Sequence, residues 1–174
     1  MTPRRIMLLG SPGSGKSTVA RRIGGQLDLP VFHLDRLYHR PGWTASPADV
    51  FLAEVYRIAA LPEWVIDGNY PVAAAPRLAA ADMIIYLDTP RWLALARVIR
   101  RTLFGFGRQR ADVADGCSDR WDGDFLRYVW RWSRDEAPRA RAMIDQFAGP
   151  VVTARSKEDV ARLLQTFGSG RSNG

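Results

Sequence analysis

The chain has 174 residues, 47% of them apolar, which is enough for one domain with a buried core and too apolar for a disordered or fibrous chain. It carries 25 basic against 18 acidic residues, a net charge of +7, and every basic residue except Lys16 and Lys157 is an arginine. One cysteine (Cys117) and two histidines (His33, His39) exclude an intramolecular disulfide framework and zinc-ligand spacing, and no apolar run approaches the roughly 20 residues of a membrane helix.

The apolar start is also too short for a signal peptide, so the expected location is cytoplasmic. The first apolar run, Arg5 to Leu9, is short and continuous, the pattern of a strand buried on both faces. Directly after it, Gly10-Ser11-Pro12-Gly13-Ser14-Gly15-Lys16-Ser17 fills the pattern G-x-x-x-x-G-K-[ST] and opens a helix to about Leu27. Glycines let the backbone fold around phosphate, so that N–H groups and the positive end of the helix face the anion. In this setting Lys16 reaches the β and γ phosphates of a nucleoside triphosphate, the Ser17 hydroxyl ligates Mg²⁺ and Thr18 contacts the α phosphate. The glycines at 10, 13 and 15 stand in the wrong order for a dinucleotide fingerprint.

Further strands are expected at Val31–Leu34, Trp64–Ile66, Met83–Leu87 and Val151–Thr153, separated by segments of helical period. Five such strands imply an α/β fold with a parallel sheet and right-handed crossovers. Ligands of such sheets sit beyond the carboxyl ends of the strands, where three aspartates stand. Asp67, in Trp-Val-Ile-Asp-Gly-Asn-Tyr, has the form of a Mg²⁺-holding carboxylate. Asp35 is placed to contact a second substrate or take the proton of its hydroxyl. Asp88, in Asp-Thr-Pro, reads as an ordinary helix start. Ser46-Pro47 predicts a cap and first-turn proline for a helix to Leu61, and Ser156-Lys-Glu-Asp159 a capping box for a last helix to Phe167.

Charge is unevenly spread. Residues 91–141 hold 12 basic and 7 acidic side chains, against 9 and 8 in residues 1–90. On a helix from Arg91 to Phe104, Arg97, Arg100 and Arg101 cluster opposite Leu95, Val98 and Ile99. A second helix, about Gly123 to Arg134, sets Arg127, Arg131 and Arg134 against Phe125, Tyr128, Val129 and Trp132. Between them, residues 105–124 are rich in Gly, Arg and Asp and lack periodicity, as a lid insertion would. Residues 1–168 are expected to form the single domain and 169–174 a disordered tail.

These motifs resemble the nucleoside-monophosphate-kinase branch of P-loop proteins and, more closely, the adenylate-kinase-like group called DNA topology modulation proteins (the FlaR family). The resemblance is carried by GSPGSGKST at 10–18, HLDRLYHRPGW at 33–43, EWVIDGNY at 63–70, ADMIIYLDTPRW at 81–92 and DGCSDRWDGDFLRYVW at 115–130. It implies a five-stranded sheet in the order 2-3-1-4-5 with a lid over ATP. It also implies that Arg97 stacks on adenine, that Arg101 contacts the transferring phosphate, that Arg131 and Arg134 are the catalytic arginines returning from the lid, and that Arg77 holds an acceptor phosphate. Where adenylate kinases continue with Gly-Asp-x-Leu-Arg, this chain has His33-Leu34-Asp35-Arg36, which argues against AMP as acceptor and leaves Arg36 and Arg40 as candidates to bind an acidic one. The leading expectation is a Mg²⁺- and ATP-dependent kinase acting on a small molecule such as a nucleotide. The alternatives are a nucleic-acid-binding regulator that stacks bases on Tyr128, Trp130 and Trp132, and an ATPase without an acceptor. Oligomeric state is not legible in the sequence.

Overall fold

A computed structural model describes residues 2–105, 113–117 and 121–168. Among them the elements run β1 (Arg5–Gly10), α1 (Lys16–Leu27), β2 (Val31–His33), α2 (Leu34–Tyr38), β3 (His39–Arg40), β4 (Thr44–Ala45), α3 (Ala48–Ala59), β5 (Trp64–Asp67), α4 (Ala74–Ala80), β6 (Met83–Leu87), α5 (Arg91–Gly105), α6 (Gly123–Asp135), α7 (Ala137–Asp145), β7 (Val151–Ala154) and α8 (Lys157–Gly168). Much of the 105–124 lid segment, and the 169–174 tail, lie outside the described residues. No helix among those described is long and apolar enough to cross a membrane.

Five strands form one parallel sheet in the order β2-β5-β1-β6-β7. The two-residue strands β3 and β4 make a separate antiparallel ribbon, so among the sheet strands alone the order is the expected 2-3-1-4-5. Side chains alternate across the sheet and build a core on each face. Met7, Leu9, Ile66, Ile84 and Tyr86 pack on one side with Phe51 and Val55 of α3, Trp132 of α6 and Met143 of α7. Ile6, Leu8, Val65, Ile85 and Leu87 pack on the other with Val19 and Ile23 of α1 and Leu163, Leu164 and Phe167 of α8. Both faces are covered, which is why these strands read as continuous apolar runs.

Three local expectations are corrected. The second strand stops at His33, and Leu34 turns into the short helix α2. Helix α3 ends at Ala59, not Leu61, and Ser46 does not cap it: the Ser46 hydroxyl donates to the Leu37 carbonyl at 3.0 Å, and Pro47 itself stands at the cap position. Helices α4 and α7 are short and alanine-containing and have no start signal of the kind that marks α8. At α8 the capping box forms as read, with the Asp159 amide donating to Ser156 Oγ and the Ser156 amide to Asp159 Oδ2, both at 3.0 Å. The amides of Arg155 and Ser156, both donating to Asp159 Oδ2, hold the Asp159 carboxyl down at about 2.

Candidate functional site

The loop between β1 and α1 passes through three left-handed glycines, Gly10 (φ 147°), Gly13 (φ 79°) and Gly15 (φ 98°). At two of them a side chain has no room: a Cβ on Gly10 would lie 2.6 Å from the Leu87 carbonyl oxygen, and one on Gly13 would lie 2.4 Å from that of Ala94. Gly10 is thus pinned against β6 and Gly13 against α5. The Lys16 ammonium crosses the loop and donates to the Gly10 and Ser11 carbonyls at 2.7 and 2.9 Å. The hydroxyls of Ser11 and Ser14 are buried with no hydrogen-bond partner among the described residues. Buried polar atoms left in this condition are costly, and in a loop that winds around an anion site they fit a bound phosphate.

Strand register assembles the neighbouring carboxylates. In the β2–β5 pair His33 stands opposite Asp67, and in the β1–β5 pair Leu8 does; the buried Asp67 carboxylate consequently lies 2.5 Å from His33 Nδ1. One residue after His33 the chain enters α2, which places Asp35 across from the segment following β5. There the Tyr70 hydroxyl donates to Asp35 Oδ1 at 2.7 Å. Burial and the Asp35 charge both push the Tyr70 phenol well above its ordinary value, so it stays a donor.

Asn69 ties that segment to the phosphate loop. Its Oδ1 accepts from the Gly10 amide at 3.1 Å and its Nδ2 donates to the Gly10 carbonyl at 2.9 Å. Tyr70 has a positive φ of 23°, strained for a residue with a side chain. The segment is clamped from beneath by Arg77, fully buried on α4, which donates to the carbonyls of Gly68, Asn69, Tyr70 and Ala73 at 2.8–3.0 Å. Burial pulls the pKa of this guanidinium down, while four carbonyl dipoles favour its charged form. This placement does not bring Arg77 to an acceptor phosphate as expected: its donors face backbone, and it does not line the cavity.

That cavity, about 910 Å³, runs from the phosphate loop to Asp35 and is lined by Lys16, Ser17, Thr18, Asp67, Arg97 and Arg101 of the expected residues. Arg97 Nη1 donates to the Ser14 carbonyl at 3.1 Å, fixing α5 to the loop. Arg100, one residue before Arg101, is exposed and outside the lining. Helix α6 behaves differently. Its cavity-facing residues are Phe125 and Tyr128, with Asp122 capping its start and Glu136 following its end. Arg131 and Arg134 project outward and both pair with Asp135, at 2.9 and 3.0 Å; this arrangement does not bring them to the cavity as expected of lid arginines. Arg36 is likewise exposed and outside the lining.

The three aromatics of α6 also do not make one stacking platform. Trp132 is buried in the core, Arg91 lies over Trp130 with its guanidinium 4.4 Å from the ring centroid, and Tyr128 faces the cavity.

The sequence reading missed His33 as the partner of Asp67, Asn69 as the brace of Gly10, and the aromatic wall beyond Asp35. The last was legible in principle, because His33 to Trp43 is unusually rich in ring side chains. Among the described residues no cluster of three or more His, Cys, Asp or Glu could hold a metal alone. Ser17 and Asp67 line one cavity, and a Mg²⁺ there would complete its shell with phosphate oxygens and water.

No family model matches the chain. One curated relative, a shikimate kinase of Rhodococcus jostii, is 51% identical over 35 residues, which is 20% of this chain and 20% of that protein; the match spans only about a fifth of the relative's length. Solved structures agree over nearly the whole chain. Shikimate kinase from Acinetobacter baumannii in complex with shikimate has a TM-score of 0.56 at 19% identity, covering 99% of this chain and 97% of that one. Shikimate kinase from Bacteroides thetaiotaomicron has a TM-score of 0.60 at 15% identity, covering 97% and 98%. At these identities the likeness establishes the fold.

Proposed function

We propose that the protein is a Mg²⁺- and ATP-dependent phosphotransferase acting on a hydroxyl of a small molecule. The observation that carries the reading is one continuous cavity with the Lys16 phosphate loop at one end and the Tyr70-anchored Asp35 carboxylate at the other. The shared fold with shikimate kinases and the sequence resemblance to monophosphate kinases point the same way.

Phosphoryl transfer requires positioning and charge neutralisation more than covalent chemistry. Lys16 and the loop amides hold the β and γ phosphates. Ser17 and Asp67 would hold Mg²⁺, which would supply neutralisation of the phosphate oxygens, and His33 orients the Asp67 carboxylate. Arg97, fixed on the loop carbonyls, flanks the base, and Arg101 meets charge on the transferring group. At Asp35, one carboxylate oxygen is held by Tyr70 and the carboxylate takes the proton of the attacking hydroxyl.

The test is Lys16→Ala, assayed for ATP consumption with a panel of hydroxylated acceptors and for binding of a fluorescent ATP analogue. At least about a 100-fold loss of turnover is expected, the scale of removing one preorganised charge contact. Turnover equal to wild type would sink the proposal. ATP hydrolysis of the same rate with every acceptor and with none would favour an ATPase instead.

A further inference from the structure

Charge is sorted along the cavity. Among the described lining residues, the lysine and arginines (Lys16, Arg21, Arg97 and Arg101) come from the phosphate loop, α1 and α5. The wall around Asp35 is of another kind. Trp43, His39 and Tyr70 line it and are linked, through Tyr38 behind the lining, by a chain of ring contacts with centroids 5.1, 5.1 and 4.9 Å apart. Tyr128 closes this wall from α6, and the negative charges of Asp35 and Glu136 both reach its phenol, whose pKa rises to about 12, mainly through burial. Glu136 shares one oxygen with Arg139 at 2.9 Å. The three arginines expected to grip an acidic acceptor do not line this wall: Arg77 is bonded to backbone carbonyls, and Arg36 and Arg40 are exposed outside the lining.

We infer that the acceptor is a cationic hydroxylated amine of the amino-alcohol or amino-sugar class, seated on the aromatic wall between Asp35, Tyr128 and Glu136. This rests on the kinase reading above and adds the charge of the acceptor to it. An ammonium group gains from ring faces and from carboxylates, whereas a carboxylate or phosphate placed there meets the carboxylates of Asp35 and Glu136, of which Glu136 is paired with Arg139, outside the lining. In the reaction the acceptor oxygen forms a bond to the γ phosphorus as the bond from that phosphorus to the β–γ bridging oxygen breaks. The hydroxyl proton passes to Asp35 and ADP leaves with the bridging oxygen's electron pair.

The experiment uses three sugars of matched shape and different charge: glucosamine, glucose and glucuronate. Each is titrated against the wild-type protein saturated with a non-hydrolysable ATP analogue, and affinity for that analogue is measured first. Glucosamine is expected to bind at least tenfold more tightly than glucuronate, with glucose between them, and Glu136→Gln to lower that ratio at least threefold. Equal binding of the three, preference for glucuronate, or binding of none overturns the inference. Failure of the ATP analogue itself to bind sinks the kinase reading and is seen before any sugar is added.

Discussion

Helices α5 and α6 carry nearly the same message in sequence, an apolar stripe backed by arginines three or four residues apart, and the fold uses them in opposite ways. On α5 the arginines at one edge of the stripe, Arg97 and Arg101, face the cavity. On α6 the cavity receives Phe125 and Tyr128, while Arg131 and Arg134 turn to solvent and to Asp135. Periodicity tells which residues share a face, but not what lies opposite that face. The difference comes from packing. Ala94 and Val98 of α5 must approach Gly13 closely, which rotates Arg97 and Arg101 over the phosphate loop. Trp132 of α6 is drawn into the sheet core, which rotates the arginines of α6 away.

The sharpest way to break this contrast is at Arg101. Arg101→Ala is expected to lower kcat about 10²–10³-fold with a much smaller change in KM for ATP, because a charge contact that matters most in the transition state is lost. A fall in kcat of less than threefold, measured by coupled ATP consumption, would remove the role that separates α5 from α6.

Arg77 represents a third use of arginine, and its expected effect is on stability before activity. Arg77→Met strands four carbonyls in a buried place, each costing about 1–3 kcal/mol if it finds no other donor. After relaxation, a loss of about 3 kcal/mol in urea unfolding is expected. Arg77→Lys, with three donors, should lose less. If Arg77→Met unfolds like wild type yet loses activity, Arg77 acts on substrate after all and the acceptor-phosphate expectation returns.

What could be read beforehand follows from the range of the forces involved. The strands and the phosphate loop were legible because both are local: burial on two faces writes a continuous apolar run, and a close backbone approach writes glycine. The placement of Asp35 and Asp67 on the cavity was legible from the rule that ligands sit beyond strand ends. His33 was not singled out, since its pairing with Asp67 exists only through the β2–β5 register across 34 positions of sequence. The backbone partners of Arg77 at Gly68 to Tyr70 were not legible for a related reason. An arginine after a strand can point to a ligand phosphate or to carbonyls of its own chain, and only the turn into α4, with Tyr70 held at positive φ, decides it.

The smallest effect is expected from the arginines of α6, and it is the counterpart of the first test. The double variant Arg131→Ala, Arg134→Ala removes two exposed partners of Asp135, and exposed ion pairs of this kind contribute little. Arg134 is the main reason that the Asp135 carboxyl sits below its ordinary value, so the variant should let that carboxyl titrate nearer the usual carboxylate range. In the unfolded chain it already titrates there. The slight stabilisation present above that range, and lost on acidification through the depressed folded value, should therefore disappear. Activity at neutral pH should stay within about twofold of wild type, as expected for surface substitutions away from the site. A drop comparable with that of Arg101→Ala would mean that α6 turns its arginines inward during the reaction, and the two helices would then share one function after all.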